Sequence, residues 1–481
     1  MEAPPSPGGL FISAPGKIIL FGEHAVVYGR TAVAGSIDLR TYVSLFTSAD
    51  GRIYLSLPDL GVEKTWMLKD LLKAAEKLDE EAELESAGPG SEDGLPPSLE
   101  LIVPIARRLS GSCEEQCGVQ HLAILAFWYL LLGIAQKKRD LLAVKVTVCF
   151  QLPSCVGLGS SGAYCVCIAA ALLQAAGLIP KPTPQEEGGA ATWDEGSLEI
   201  IRKWAASAES LIHGRASGLD AAVCTYGGVA SFKPGSRIQH FRNLPDLRVI
   251  LVNSKVERNT SRMVATVKER LKKFPEVVEG IFNSVDAISR EAVKILNRPE
   301  ALRMGNGAAE SEAATSSSSP TPSATAINPS LPNSTLTPAS VSWRRPSGNS
   351  LGAPDLPESD HASLQNTELA DAYARLNDLC RMNNQLLIAL GVGHPKIDQI
   401  CTLLARYGIH PKMTGAGGGG SVYAFLKPDT SATVLEMIRD EIRKLGYELW
   451  QPPLGGAGVL LHGERPKIFA TPTKTASTRS K

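Results

Sequence analysis

Lys17 follows a Pro-Gly turn in SAPGKIILFGEHAVVYG, and Glu23 and His24 come after the next apolar run. Farther along, VCFQLPSCVGLGSSGAY leads through glycines into the serine pair Ser160-Ser161. AESLIHGRASGLDAAV then puts Glu209 on an expected helix and Asp220 beyond a Gly-Ser-rich turn. A second glycine run, TGAGGGGSVY, lies near the far end of the chain. A cation, two carboxylates, a Ser-Ser helix start and two glycine loops are the parts that phosphoryl transfer requires. Taken singly, each has a plain structural reading. Lys17 could be a solvated turn lysine, Glu209 a surface helix charge and Asp220 an N-cap. His24 and His213 could be satisfied structural histidines. Their joint occurrence favours chemistry.

The first glycine run also spells G-x-G-x-x-G through Gly157, Gly159 and Gly162, the pattern of dinucleotide-binding loops. Such a loop follows a strand, opens a helix and has an acidic residue about 20 positions on, at the end of a second strand. Here AVKVTVCFQ reads as the strand and AYCVCIAAALLQAA as the helix, but IPKPTPQEEGG replaces the second strand. Gly415, Gly417 and Gly420 satisfy the same pattern, so the pattern alone decides little. No Gly-Lys-Ser/Thr follows either run, which excludes a P-loop. What remains is the physics. Glycines let backbone N–H groups approach an anion, and a helix N-terminus adds unpaired donors and a favourable dipole.

The elements that must hold these residues mix strands and helices without a regular βαβ alternation, which predicts an α+β fold. Strand-like runs dominate the first part, with helical periodicity at Leu122–Ala135 and Ala163–Leu178. The second part is helical through TSRMVATVKERLKKFPEVVEGIFNSVDAISREAVKIL and LADAYARLNDLCRMNNQLLIALG, then closes on SVYAFL and GAGVLLH. Between them, residues 297–366 are dominated by Ser, Thr, Pro, Ala, Asn and Gly, too poor in large apolar groups to offset the entropy of folding. This stretch is expected to be a disordered insert, and 467–481 a disordered tail. Lys+Arg and Asp+Glu both number 49 in the 481 residues, so no net charge points to nucleic acid or an anionic membrane. The nine cysteines form no C-x-x-C pair and sit mostly in apolar runs, as reduced buried thiols do. No signal peptide is read at the start, and the apolar run Leu122–Ala135 falls short of the ~20 residues of a membrane helix. The expected location is cytoplasmic.

Together these stretches resemble mevalonate kinases, of the superfamily that also holds galactokinase, homoserine kinase and phosphomevalonate kinase. Lysine after Pro-Gly differs from galactokinases, which have arginine there and GEHTDY next, and Gly-Glu-His differs from the Gly-Glu-Tyr of phosphomevalonate kinases. ESLIHGRASGLDAAV, SKVERNTSRMVA, MNNQLLIALGVGH and KMTGAGGGG resemble segments of the same family. The resemblance implies an N-terminal domain at 10–235 like part of ribosomal protein S5. It implies a ferredoxin-like C-terminal domain at 236–296 and 367–466, with the active site in the cleft between them. It implies transfer of the ATP γ-phosphoryl group to the primary 5-hydroxyl of mevalonate, in isoprenoid and sterol synthesis.

By motif match, Cys155, Val156, Gly157, Leu158, Gly159, Ser160 and Ser161 would wrap the ATP phosphates, with Lys17, Gly415 and Gly417 also on ATP. Ser161 and Glu209 would hold Mg2+. Asp220 would take the hydroxyl proton with Lys17 beside it, and Glu23, His24, Thr260 and Asp220 would place mevalonate. A homodimer is implied as well. The sequence departs from the family's usual phosphate loop at Cys155 and Gly162, and has Arg215-Ala216 and Glu257 where the family usually has Asn-Pro and Pro. Two alternatives stay open: a relative phosphorylating another small alcohol, and a non-catalytic sensor of ATP and a metabolite. Against the sensor stand Lys17, Ser161, Glu209 and Asp220, all present.

Overall fold

The structure is a computed structural model, and it describes residues 9–85, 95–111, 118–138, 141–152, 156–182, 189–213, 217–241, 244, 247–297 and 358–470. The chain divides into two units, one made of residues 1–298 and 368–481 and the other of 299–367. Nearly all of the expected insert, and the expected tail from residue 471, lie outside the described residues.

The first unit opens with two long strands, β1 (Leu10–Phe21) and β2 (Ala32–Ser48), paired antiparallel. Their register shifts between Pro15 and Gly16, where proline supplies no N–H to the ladder. That irregularity sits immediately before Lys17 and turns the following stretch of β1 toward the loop it must meet. Strands β3 (Arg52–Leu57), β4 (Val62–Met67), β5 (Ala143–Phe150), β6 (Ala190–Ala191), β7 (Val229–Phe232) and β8 (Gln239–Phe241) complete most of this sheet. Helices α1 (Leu68–Glu85), α2 (Leu99–Ser110), α3 (Val119–Lys137), α4 (Ser160–Ala175), α5 (Glu195–His213) and α6 (Leu219–Tyr226) pack with it. Helix α3 spans 19 residues, long and apolar enough by composition to cross a membrane, and longer than the run seen in the sequence. Its residues from Ala123 to Ala135 are all buried in the core, which accounts for its apolar surface on every side.

A second, four-stranded sheet has the order β10-β11-β9-β12, from β9 (Arg248–Asn253), β10 (Lys412–Met413), β11 (Ser421–Leu426) and β12 (Glu448–Trp450). Every neighbouring pair is antiparallel, the order of a ferredoxin-like sheet, as expected. Its core joins Ile250, Val252, Val422 and Ala424 to Phe282, Leu387, Ile400 and Ile438. The last four come from helices α8 (Pro275–Leu296), α9 (Glu358–Ala389), α10 (Pro395–Ala405) and α11 (Ala432–Lys444), and Val267 of α7 (Thr260–Lys273) joins them. The single helical run read from Thr260 to Leu296 is two helices, because Pro275 denies α7 its next hydrogen bond and starts α8 at its first position. Helix α9 begins at Glu358, inside the stretch expected to be disordered to 366.

The last strand, β13 (Leu460–His462), belongs to the first sheet: it pairs antiparallel with β1, although its residues were expected in the C-terminal domain. Arg40 fixes this return. Its buried guanidinium donates to Ser13 Oγ at 2.8 Å, to Ala457 O at 3.1 Å and to Gly458 O at 2.6 Å. The returning backbone passes so close to the end of α6 that a Cβ on Gly458 would stand 2.0 Å from Thr225 O. Gly456, one turn of chain earlier, faces open space. Gly458→Ala is therefore expected to lose about 2 kcal/mol or more of stability through overpacking. Gly456→Ala is expected to stay within about 0.5 kcal/mol of the parent. Denaturant midpoints measured side by side check the pair, and equal midpoints would contradict the packing described.

Candidate active site

Helix α4 begins at Ser160, as the sequence suggested, with Gly159 at its N-cap in the left-handed region at φ 73°. The loop before it runs against β1. Lys17 N–H donates to Leu158 O at 2.8 Å, and a Cβ on Gly159 would lie 2.6 Å from Lys17 Cγ. Only glycine satisfies both the backbone conformation and this approach. The helix N-terminus is thereby presented to a cavity of about 480 Å3 lined by Lys17, Gly157, Gly159, Ser160, Ser161 and Asp220 at one end. Its lining also includes the apolar Leu60, Val119, Leu122, Phe150 and Tyr164, with Asp59. Unpaired donors and aromatic surface in one cavity suit a ligand with an anionic tail and a flat apolar head.

At the anionic end, Lys17 Nζ stands 2.8 Å from Asp220 Oδ1. The lysine comes from β1 and the aspartate from the first turn of α6, so strand and helix bring together residues 203 positions apart in sequence (220 minus 17). Glu209 of α5 is buried beside them at 2% exposure. Ser161 Oγ donates to Glu209 Oε1 at 3.4 Å, while Glu209 Oε2 is buried with no hydrogen-bond partner. Burial pushes the Glu209 carboxyl up to about 8, and the nearby Asp220 charge adds to the rise. Lys17, the Ser161 hydroxyl and the Ala221 N–H offset part of it. A buried carboxylate with one oxygen unsatisfied, next to a serine hydroxyl, is a hard-oxygen pair fitted to a divalent cation. No group of three or more His, Cys, Asp or Glu gathers among the described residues. A cation here would complete its shell with water and phosphate oxygens.

Other expected site residues fall differently. Val156 and Leu158 are buried in the loop, and Cys155 lies outside the described residues, as do Arg215 and Ala216. Gly415 and Gly417 adopt φ of 78° and 75°, and neither lines the cavity. Glu23 does not line the cavity. It is 1% exposed and ion-paired with Lys412, which is wholly buried. His24 is in the left-handed region at φ 59°, and its Nε2 donates to Ala416 O at 2.9 Å. Burial lowers the affinity of His24 for a second proton, and the Lys412 and Arg258 charges lower it further. Thr260 is exposed as the first residue of α7 and does not line the cavity.

Arg258 is a cationic cavity residue that the sequence did not single out. Its guanidinium fits the space left by glycines of both loops: a Cβ on Gly157 would stand 2.6 Å from Nη1, and one on Gly415 2.0 Å. The signal lies in SKVERNTSRMVA, where the sequence reading gives a role to Thr260 but none to Arg258.

Residues 126–228 match the family model described as GHMP kinases N terminal domain, and 366–444 match GHMP kinases C terminal. The Bos taurus mevalonate kinase is 35% identical over 453 residues, 94% of this chain and 95% of the relative. The human mevalonate kinase is 34% identical over 94% of this chain and 95% of the relative. The chain belongs to the mevalonate kinase family. The solved Methanococcus jannaschii mevalonate kinase shares the fold at TM-score 0.57 and 18% identity, covering 94% of this chain and 100% of the other. The L. major mevalonate kinase in complex with R-mevalonate does so at TM-score 0.53 and 16% identity, covering 96% and 98%. The two-domain α+β architecture is thus that of the mevalonate kinases.

The raised Glu209 proton affinity has a defined consequence for stability. The folded chain holds a proton on Glu209 between about pH 4.5 and 8, where the unfolded chain has released it. Stability falls with pH wherever the folded state binds more protons, so burial of Glu209 becomes costlier up to about pH 8. Each tenfold change in proton affinity is worth about 1.4 kcal/mol. Glu209→Gln is expected to stabilise the ligand-free protein by about 2 kcal/mol or more at pH 8 and by little at pH 5. Parallel stability–pH profiles for the two proteins would contradict this.

Proposed function

We propose that the cavity performs ATP-dependent phosphorylation of the 5-hydroxyl of mevalonate. Family membership at 34–35% identity over 94% of the chain makes the protein a kinase that uses ATP and mevalonate. The observation that carries the site-level reading is the Lys17–Asp220 contact of 2.8 Å at the N-terminus of α4.

The loop glycines and the first amides of α4 receive the ATP phosphates, and the apolar lining takes the base. Asp220 accepts the proton of the attacking hydroxyl. A carboxylate with pKa near ~4 is too weak to ionise an alcohol in advance, so the proton moves late, through a loose transition state. Lys17 holds Asp220 at its Oδ1 and places positive charge where the transferring phosphoryl group and attacking oxygen become negative. Arg258, between the two glycine loops, adds a second fixed cation at the same end. Ser161 and Glu209 would hold Mg2+, which supplies charge neutralisation on the phosphate oxygens when bound. The described free cysteines fit a reducing compartment, and the reading places the protein in the cytoplasm as a homodimer.

ADP release with MgATP and a panel of acceptors tests the function. Mevalonate is expected to give turnover at least ~100-fold above galactose, homoserine or phosphomevalonate, the contrast of a site built to hydrogen-bond one substrate. Comparable turnover on another acceptor would move the substrate assignment. ATP binding with no turnover on any acceptor would make the chain a sensor.

A further inference from the structure

Glu23 and Lys412 are both buried, 1% and 0% exposed, and neither lines the cavity. Lys412 Nζ donates to Glu23 Oε1 and, at 2.7 Å, to Met413 O, and it lies 5.5 Å from the centre of the Tyr423 ring. The phenol of Tyr423 donates to Leu20 O. Two residues beyond Lys412, Thr414 Oγ1 accepts from Ile19 N–H at 3.0 Å and donates to Ile19 O at 2.9 Å. His24 donates to Ala416 O. These contacts join Ile19, Leu20, Glu23 and His24 on one side to Lys412, Thr414, Ala416 and Tyr423 on the other. They stitch the end of β1 to the root of the glycine loop.

That loop bears directly on the cavity. Gly415 and Gly157 leave the space that the Arg258 guanidinium occupies, and a Cβ on Gly420 would lie 2.9 Å from Val156 O. Displacement of the loop by an ångström would move Arg258 and open the contact with the phosphate loop. The same strand β1 carries Lys17, so both cations at the anionic end are referred to one frame.

An ion pair sealed from water adds little to stability over apolar groups of similar volume, because desolvation offsets its attraction. What it adds is direction. We propose that the Glu23–Lys412 pair is a positioning device for phosphoryl transfer: it fixes the Thr414–Gly420 loop to β1, and through the loop the place of Arg258. Glu23 then acts through Lys412 and does not touch mevalonate. The inference rests on the reading of the cavity as the phosphoryl-transfer site.

The test compares the double variant Glu23→Leu with Lys412→Met against each single change, with melting temperature, kcat and KM all recorded. Each single change strands a buried partner and is expected to lower both stability and kcat. The double variant is expected to melt within about 3 °C of the parent, since apolar pairs of this size replace buried ion pairs without loss. Its kcat should still be down at least ~10-fold, the scale of a misplacement approaching an ångström, with the KM for mevalonate within about 3-fold. Parental kcat in a stable double variant overturns the proposal, because the pair would then only fill space. A mevalonate KM raised tenfold with kcat intact also overturns it, because Glu23 would then touch substrate. Should the double variant fold poorly, Glu23→Asp decides: it keeps both charges and shortens the reach by one methylene. It is expected to lower kcat about 5-fold or more at unchanged mevalonate KM, again as a positioning loss, and unchanged kcat overturns the proposal. Absence of mevalonate turnover in the parent would instead contradict the kinase reading itself.

Discussion

The contact between Lys17 and Asp220 is the constraint on which the rest of the active end depends. It exists only if β1 brings Lys17 past an irregular register at Pro15 and Gly16, and if α6 starts at Leu219 with Asp220 in its first turn. The fold spends much of its connectivity on meeting those two conditions. The phosphate loop is anchored to Lys17 by its own backbone, through Leu158. The C-terminal return, clamped by Arg40, closes against the far end of α6 and leaves no room there for a side chain at Gly458. Helix α6 is thus held at its start by the Lys17–Asp220 ion pair and at its end by the returning backbone, where Val459 N–H donates to Thr225 O at 3.0 Å.

Electrostatics sets a cost on this arrangement. Two carboxyl groups, Glu209 and Asp220, stand close together, and Asp220 is ion-paired with Lys17. Glu209 is buried with one oxygen unsatisfied and holds a proton at neutral pH. That cost is characteristic of a site arranged for a charged ligand and not for the stability of the free protein.

Much of the active end was legible in the sequence because it is local. SAPGK, GLGSSG and SGLDAAV each place a residue relative to a turn and a helix start, and the structure keeps Lys17, Ser160, Ser161 and Asp220 on one cavity. The α+β class and the buried nature of α3 followed from apolar patterning. What escaped the sequence is long-range. Glu23 and Lys412 are 389 positions apart, and nothing in GEH or KMTG says that one is the other's partner. A conspicuous Glu-His beside a catalytic lysine reads as substrate contact, whereas burial of Glu23 turns it inward. Arg258 escaped because its role comes from the absence of side chains at Gly157 and Gly415, on two other segments. The return of β13 to the first sheet escaped for the same reason: three residues of strand carry no pattern of their own.

Single-turnover transfer of the γ-phosphoryl group by Asp220→Asn, with ATP binding measured on the same sample, tests the central assignment most directly. Loss of a positioned base costs ~100-fold or more in the chemical step, while the substitution leaves the loop and the α4 amides, proposed to receive the phosphates, unchanged. The account predicts transfer slowed at least ~100-fold with ATP affinity within about 3-fold of the parent. Transfer at the parental rate would remove Asp220 from the reaction and with it the meaning given to the Lys17 contact.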